Sequence, residues 1–201
     1  IKLNINNIIM GNESSSLNMD MGYLHLFIGP MFAGKSSKLI ECYNDCVENE
    51  KHVVVLTHSD ETRYSKDELS THDLNKIQCL KYNSIENFIK EQKIILESCH
   101  TILIDEAQFF PDLLKSIELV DFYKKTVIIF GLDGDFKREK FGNILDLIPY
   151  ADSVEKLCAR CNNCNNKAIF SHRIIQEKTQ IIIGNKDIYI PLCRKCYLQK
   201  E

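Results

Sequence analysis

The segment Gly29-Pro30-Met31-Phe32-Ala33-Gly34-Lys35-Ser36 constrains this chain more than any other. It fits G-x-x-x-x-G-K-[ST], between an apolar hexapeptide (residues 23–28) and an amphipathic stretch (35–47). Glycine permits conformations that turn successive N–H groups toward one point, and a following helix N-terminus adds partial positive charge. Phosphate is the ligand such a loop cradles. Lys35 can reach the β- and γ-phosphates, and the Ser36 hydroxyl can meet Mg²⁺. The reading is a nucleoside triphosphate site whose contacts run from Gly29 to Ser36 and on to the adjacent Ser37. The competing reading is a glycine-rich turn with no ligand.

The surrounding pattern alternates strand and helix. After the stretch 35–47, with Leu39, Ile40, Tyr43, Cys46 and Val47 on one stripe, Val53 to Leu56 reads as a buried strand. The polar residues 59–73 read as a mobile loop. Ser84 can cap a helix whose stripe runs Ile85, Phe88, Ile89, Gln92, Ile95, Leu96 and Cys99. A strand over 101–105, a helix after Pro111 and a strand over 126–130 complete a parallel α/β sheet. His25 reads as a packing residue, and Cys42 and Cys46 as buried thiols. Thr101-Ile102-Leu103-Ile104-Asp105-Glu106 is an apolar strand ending in acids. Asp105 is placed to hold Mg²⁺ through water, and Glu106 to orient a nucleophile or take its proton.

Past about residue 155 the texture changes to clustered Cys and Asn with short strand-like runs, AIFSH, QIIIG and DIYIPL. Cys161-x-x-Cys164 and Cys193-x-x-Cys196 have the form of two zinc knuckles, a closed and therefore structural site. Cys158 extends the first knuckle to a three-cysteine run. An iron–sulfur site would want a further Cys at position 168, which is Ala. Nine cysteines, an odd number in a chain of 201 residues, argue against a disulfide scaffold and for a reducing, cytoplasmic setting. No apolar run approaches the roughly 18 residues of a membrane span. A hydrophobic share of 44% and a net charge of −3 exclude a largely disordered chain and a basic nucleic-acid coat. The expected division is a flexible lead-in (1–20), an α/β domain (21–152) and a small zinc domain (153–201).

With these residues in place, the chain resembles the thymidine kinase family of cytosolic vertebrate, poxviral and bacterial enzymes. The resemblance runs through GPMFAGKS, DETRYS, THD, DEAQFF, GLDGDF, FGNILDLIPYAD and CRKCY, in order, over about residues 22–197. It implies a P-loop NTPase (RecA-like) parallel sheet and a zinc-containing C-terminal domain whose lasso loop closes over the nucleoside. It also implies transfer of the γ-phosphate of ATP to the 5′-hydroxyl of thymidine with Mg²⁺, Glu106 acting as general base. Arg63 and Arg173 match arginines near the phosphates. Met31, Phe109, Leu132, Phe136, Phe141, Ser171 and Tyr189 match the base pocket. A homotetramer and feedback inhibition by thymidine triphosphate are implied too, with no nucleic-acid or membrane partner.

Four positions depart from the family pattern: Ala33 for Ser, Glu61 for Asp, Ser171 for Thr, and Gln180 where Val is common. Two other functions compete, a nucleic-acid-stimulated ATPase and a zinc-ribbon binding module. The first needs a second lobe and a basic track. The second needs an interleaved aromatic platform, and neither requirement is met by this sequence.

Overall fold

The computed structural model describes residues 21–59, 68–70, 76–182, 184 and 186–200. Along the chain, β1 (Tyr23–Ile28) leads to α1 (Lys35–Glu48) and β2 (Val53–His58). A short antiparallel pair follows, β3 (Glu68–Ser70) with β4 (Lys76–Gln78), then β5 (Leu80–Tyr82). Helices α2 (Ile85–Glu91) and α3 (Lys93–Ser98), strand β6 (Thr101–Ile104), helix α4 (Ser116–Asp121) and strands β7 (Thr126–Gly131) and β8 (Ser153–Lys156) complete the large unit. Among the described residues, six strands form one sheet in the order β5-β2-β6-β7-β1-β8, each pairing parallel.

The apolar runs account for this sheet. Strands buried on both faces read as continuous hydrophobic sequence, and Ile102, Leu103, Ile104, Val127 and Ile129 are all buried. One face packs against Phe88, Leu96, Leu119 and Ile144, and the other against Leu39, Ile40 and Cys42 of α1. His25 is buried in this core, its ring 4.1 Å from that of Phe27. Burial, aided by the charge of Lys38, pushes its pKa down to about 4, so it packs as a neutral ring. Burial likewise lifts the Cys42 thiol to about 12, which makes it an inert core residue.

Two expectations need correction. The helix expected from Ile85 through Cys99 breaks at Gln92, whose backbone leaves the helical region while its side chain bonds the Tyr82 hydroxyl at 2.8 Å. The expected loop over 59–73 contains β3, because residues 68–70 find a partner in β4. Past residue 152, where the α/β domain was expected to end, pairing with β1 continues. β8 pairs with β1, Asp152 clasps Leu24 through both its backbone and its side chain, and Leu157 N–H still bonds Ile28.

A group of short elements follows Leu157, called the small lobe below. It holds β9 (Ala159–Arg160) paired with β10 (Lys167–Ala168), β11 (Phe170–Arg173) paired with β12 (Tyr189–Leu192), and helix α5 (Arg194–Leu198). Of the three strand-like runs, QIIIG is not a strand: residues 180–182 and 184 are irregular. No helix among the described residues is long and apolar enough to cross a membrane.

Candidate functional site

The glycine loop leaves the carboxyl end of β1, where ligands of open parallel sheets bind. Gly34 (φ 83°) lies in the left-handed region immediately before Lys35 opens α1, a conformation glycine adopts without steric cost. The Lys35 ammonium folds back over the loop, donating to the carbonyls of Gly29 (3.2 Å) and Pro30 (2.7 Å). Met31 N–H donates to Ser171 Oγ at 3.0 Å, which ties the loop to β11 of the small lobe.

Register aligns the acids with this loop. Ile104, Ile129 and Leu26 are level across β6, β7 and β1, so Asp105 and Glu106 leave the sheet at the same edge. One intervening strand sets them roughly 10 Å to the side. Glu106 is buried and its backbone is left-handed (φ 49°), an uncommon conformation for a residue with a side chain. Gln108 explains how it is held. Its Nε2 donates to Glu106 Oε2 at 2.6 Å, while its Oε1 accepts from Leu132 N–H at 2.9 Å. The carboxylate is thus fixed to the GLDGDF turn. Gly142 (φ 62°) comes so close to Gln108 that an added Cβ would lie 2.2 Å from the Gln108 carbonyl oxygen.

The residues matched to a base pocket divide into two groups. Phe109 and Phe141 meet edge-on at 5.7 Å, and Leu132 adjoins them through Gln108. Phe136 and Tyr189 meet across Arg173, and Ser171 and Met31 touch each other. Arg173, matched to an arginine near the phosphates, is held within the small lobe and against the Phe136 turn. It is buried with its guanidinium 3.7 Å from the Phe136 ring. Its donors reach the carbonyls of Glu177, Thr179 and Gln180 and the Tyr189 hydroxyl. Of the QIIIG run, the Gln180 carbonyl is taken by this guanidinium. Arg63 lies outside the described residues.

The four cysteines of the two knuckles converge, their Sγ atoms all within 4.8 Å of one another. Tetrahedral Zn–S bonds of about 2.3 Å put sulfurs about 3.8 Å apart, so this cage could hold zinc. The thiols also conflict without a cation. Against the effect of burial, hydrogen bonds led by the Cys193 backbone pull Cys161 down to about 6. Cys196 is pushed up to about 12, first by its bond with Cys164 and then by desolvation. A bound dication removes that conflict by stabilising all four thiolates. Cys158 is not among the four.

Three contacts around the site escaped the sequence reading, those of Gln108, Asp135 and the Gln180 side chain. Gln108 alone left a signal, as a buried-type position between acids and aromatics in DEAQFF. Asp135 and Gln180 are 45 residues apart, and no local pattern links them.

A buried acid pair and a glycine loop on the carboxyl edge of one parallel sheet place this chain among the α/β proteins whose ligands bind at that edge. A family model described as Thymidine kinase matches residues 22–197, and the chain belongs to the thymidine kinase family. It is 41% identical over 181 residues to thymidine kinase a of Arabidopsis thaliana, covering 88% of this chain and 75% of the relative. It is 36% identical to the cytosolic thymidine kinase of Bos taurus, covering 98% and 79% of the two chains. Identity to the thymidine kinase of Fowlpox virus is also 36%, covering 89% and 98%.

Proposed function

We propose that the chain transfers the γ-phosphate of ATP to the 5′-hydroxyl of thymidine, with Glu106 as general base. The observation that carries this reading is the clamped Glu106, a buried carboxylate in a left-handed backbone, held by Gln108 on the edge that bears the glycine loop. The 5′-oxygen attacks the γ-phosphorus, its proton passes to Glu106, and ADP leaves. Phosphoryl transfer depends on positioning and charge neutralisation, which fits the roles of Lys35 and the backbone N–H groups of residues 29–36. Ser36 and Asp105 would hold Mg²⁺, which supplies charge neutralisation at the β- and γ-phosphates.

The sheet order, with one strand between the loop strand and the acid strand, supports a RecA-like phosphate-loop fold. Structural zinc at Cys161, Cys164, Cys193 and Cys196 would pin both ends of the segment that closes on thymidine. A cytoplasmic setting, a homotetramer and inhibition by thymidine triphosphate follow from the family as further proposals. The test is Mg²⁺-dependent formation of thymidine monophosphate from thymidine and ATP. Glu106→Gln should keep ATP binding and lose roughly 10²- to 10⁴-fold in kcat. A near-normal rate in that variant would remove Glu106 as the base.

A further inference from the structure

Residues 174–188 connect β11 to β12 and are tied down by side chains more than by strand pairing. Arg173 gathers the carbonyls of residues 177, 179 and 180 around one guanidinium, and the Tyr189 hydroxyl donates to the Ile182 carbonyl at 3.0 Å. Both anchors belong to the small lobe itself. Gln180 does something different: its side chain crosses to the large unit, where Nε2 donates to Asp135 Oδ2 at 2.9 Å.

Asp135 is built to receive it. It is buried, and its other oxygen accepts from the N–H groups of Lys137 (2.8 Å) and Glu139 (2.9 Å). Its backbone N–H bonds the Glu139 carbonyl, and Gly134 bridges Lys140, so the turn 134–140 is closed around this carboxylate. The next residue is Phe136, the ring on which Arg173 lies. One residue, Gln180, therefore holds both ends of a short circuit. Its carbonyl is on Arg173, which rests on Phe136, and its amide is on Asp135, which precedes Phe136.

We infer that Gln180 and Asp135 form a latch that holds the 174–188 segment against the Phe136 turn and so sets affinity for the nucleoside. The inference rests on the proposed thymidine site and names a positioning residue for it. A valine at this position would have no donor for Asp135. A hydrogen bond to a charged acceptor is lost without any change in the Arg173 anchor, so thymidine binding weakens while the glycine loop is untouched.

The test compares Gln180→Val, Gln180→Glu and the pair Gln180→Glu with Asp135→Asn. Gln180→Val should raise KM for thymidine about 5- to 10-fold, with KM for ATP and Tm unchanged. Gln180→Glu should be worse, because two carboxylates then face each other. Adding Asp135→Asn should restore KM to within about threefold, since Asn keeps one oxygen for the turn and offers its amide to Glu. Independently of activity, trypsin should cut at the exposed Lys178 several-fold faster in Gln180→Val than in the parent chain. An unchanged KM for thymidine, a parallel rise in KM for ATP, or failure of Asp135→Asn to rescue overturns the latch. If the parent chain phosphorylates no thymidine, the proposed function fails, and the cleavage rates at Lys178 still decide the latch.

Discussion

Around the parallel sheet, Phe27, Phe130, Ile102, Leu103 and many neighbours are almost wholly buried and pack on both faces. Beyond Leu157 the buried apolar cluster shrinks to two alanines, three cysteines, Leu192 and Tyr197. Burial of large side chains drives the first region to fold. The second has too little apolar surface to offset the entropy of ordering its chain, and it relies on cross-links. Four thiols converge at one point, one guanidinium holds three carbonyls, and the Tyr197 hydroxyl donates to the Phe136 carbonyl at 2.6 Å. Apolar cores are cooperative and hard to open in part. A lobe of point attachments can open one attachment at a time.

The largest effect should come from the cross-link itself. Structural zinc contributes on the order of 10 kcal/mol in small domains. Cys193→Ser, or chelation, should therefore release the lobe while the sheet stays folded. Thymidine binding should fall at least tenfold more than ATP binding, and the main melting transition should persist. Simultaneous loss of both ligands and of that transition would mean that the two regions are one cooperative unit.

Next in size is damage to the sheet. Phe130 is fully buried and stacked on Phe27 with ring centroids 5.1 Å apart. Phe130→Ala should cost about 3–5 kcal/mol, read as a shifted denaturant midpoint with an unchanged slope. Here thymidine and ATP binding should be lost together. A variant that loses only thymidine binding would place the core's influence in the lobe and break the contrast.

The same contrast explains what could be read from the sequence. Strands β1, β6 and β7 and helix α1 stood out because apolar runs and helical spacing are local consequences of burial. The glycine loop and the cysteine knuckles stood out because their chemistry demands fixed spacing. What stayed hidden was nonlocal. Asp112 accepts from the N–H groups of Ile85 and Glu86 at the start of α2, yet it lies 27 residues beyond Ile85. Gln92 breaks its helix in the presence of Tyr82. The carbonyl partners of Arg173 were hidden as well, because a guanidinium suits a phosphate and a carbonyl equally well and sequence does not list its neighbours. QIIIG was misjudged because an apolar run says that residues are to be covered and not what covers them.

The smallest effect concerns a polar group inside the apolar region. His25 lies in β1 with neither ring nitrogen hydrogen-bonded, facing Phe27 and within the influence of Lys38, which is itself paired with Glu41. Its pKa is about 4 in the folded chain against 6.5 when exposed. Between these values the unfolded chain binds a proton that the folded chain refuses, so stability is full above about pH 6.5 and falls as pH drops toward 4. At pH 5 the loss from this one residue is about 2 kcal/mol. His25→Leu should match the parent chain's pH dependence near pH 7.5 and exceed its stability by about that amount at pH 5. The measurement is the urea midpoint of both chains at the two pH values. Carboxylates common to both cancel in the difference, which isolates the ring. Parallel curves would show that His25 accepts a proton without leaving the core, and that the apolar interior of the sheet tolerates a charge at that point.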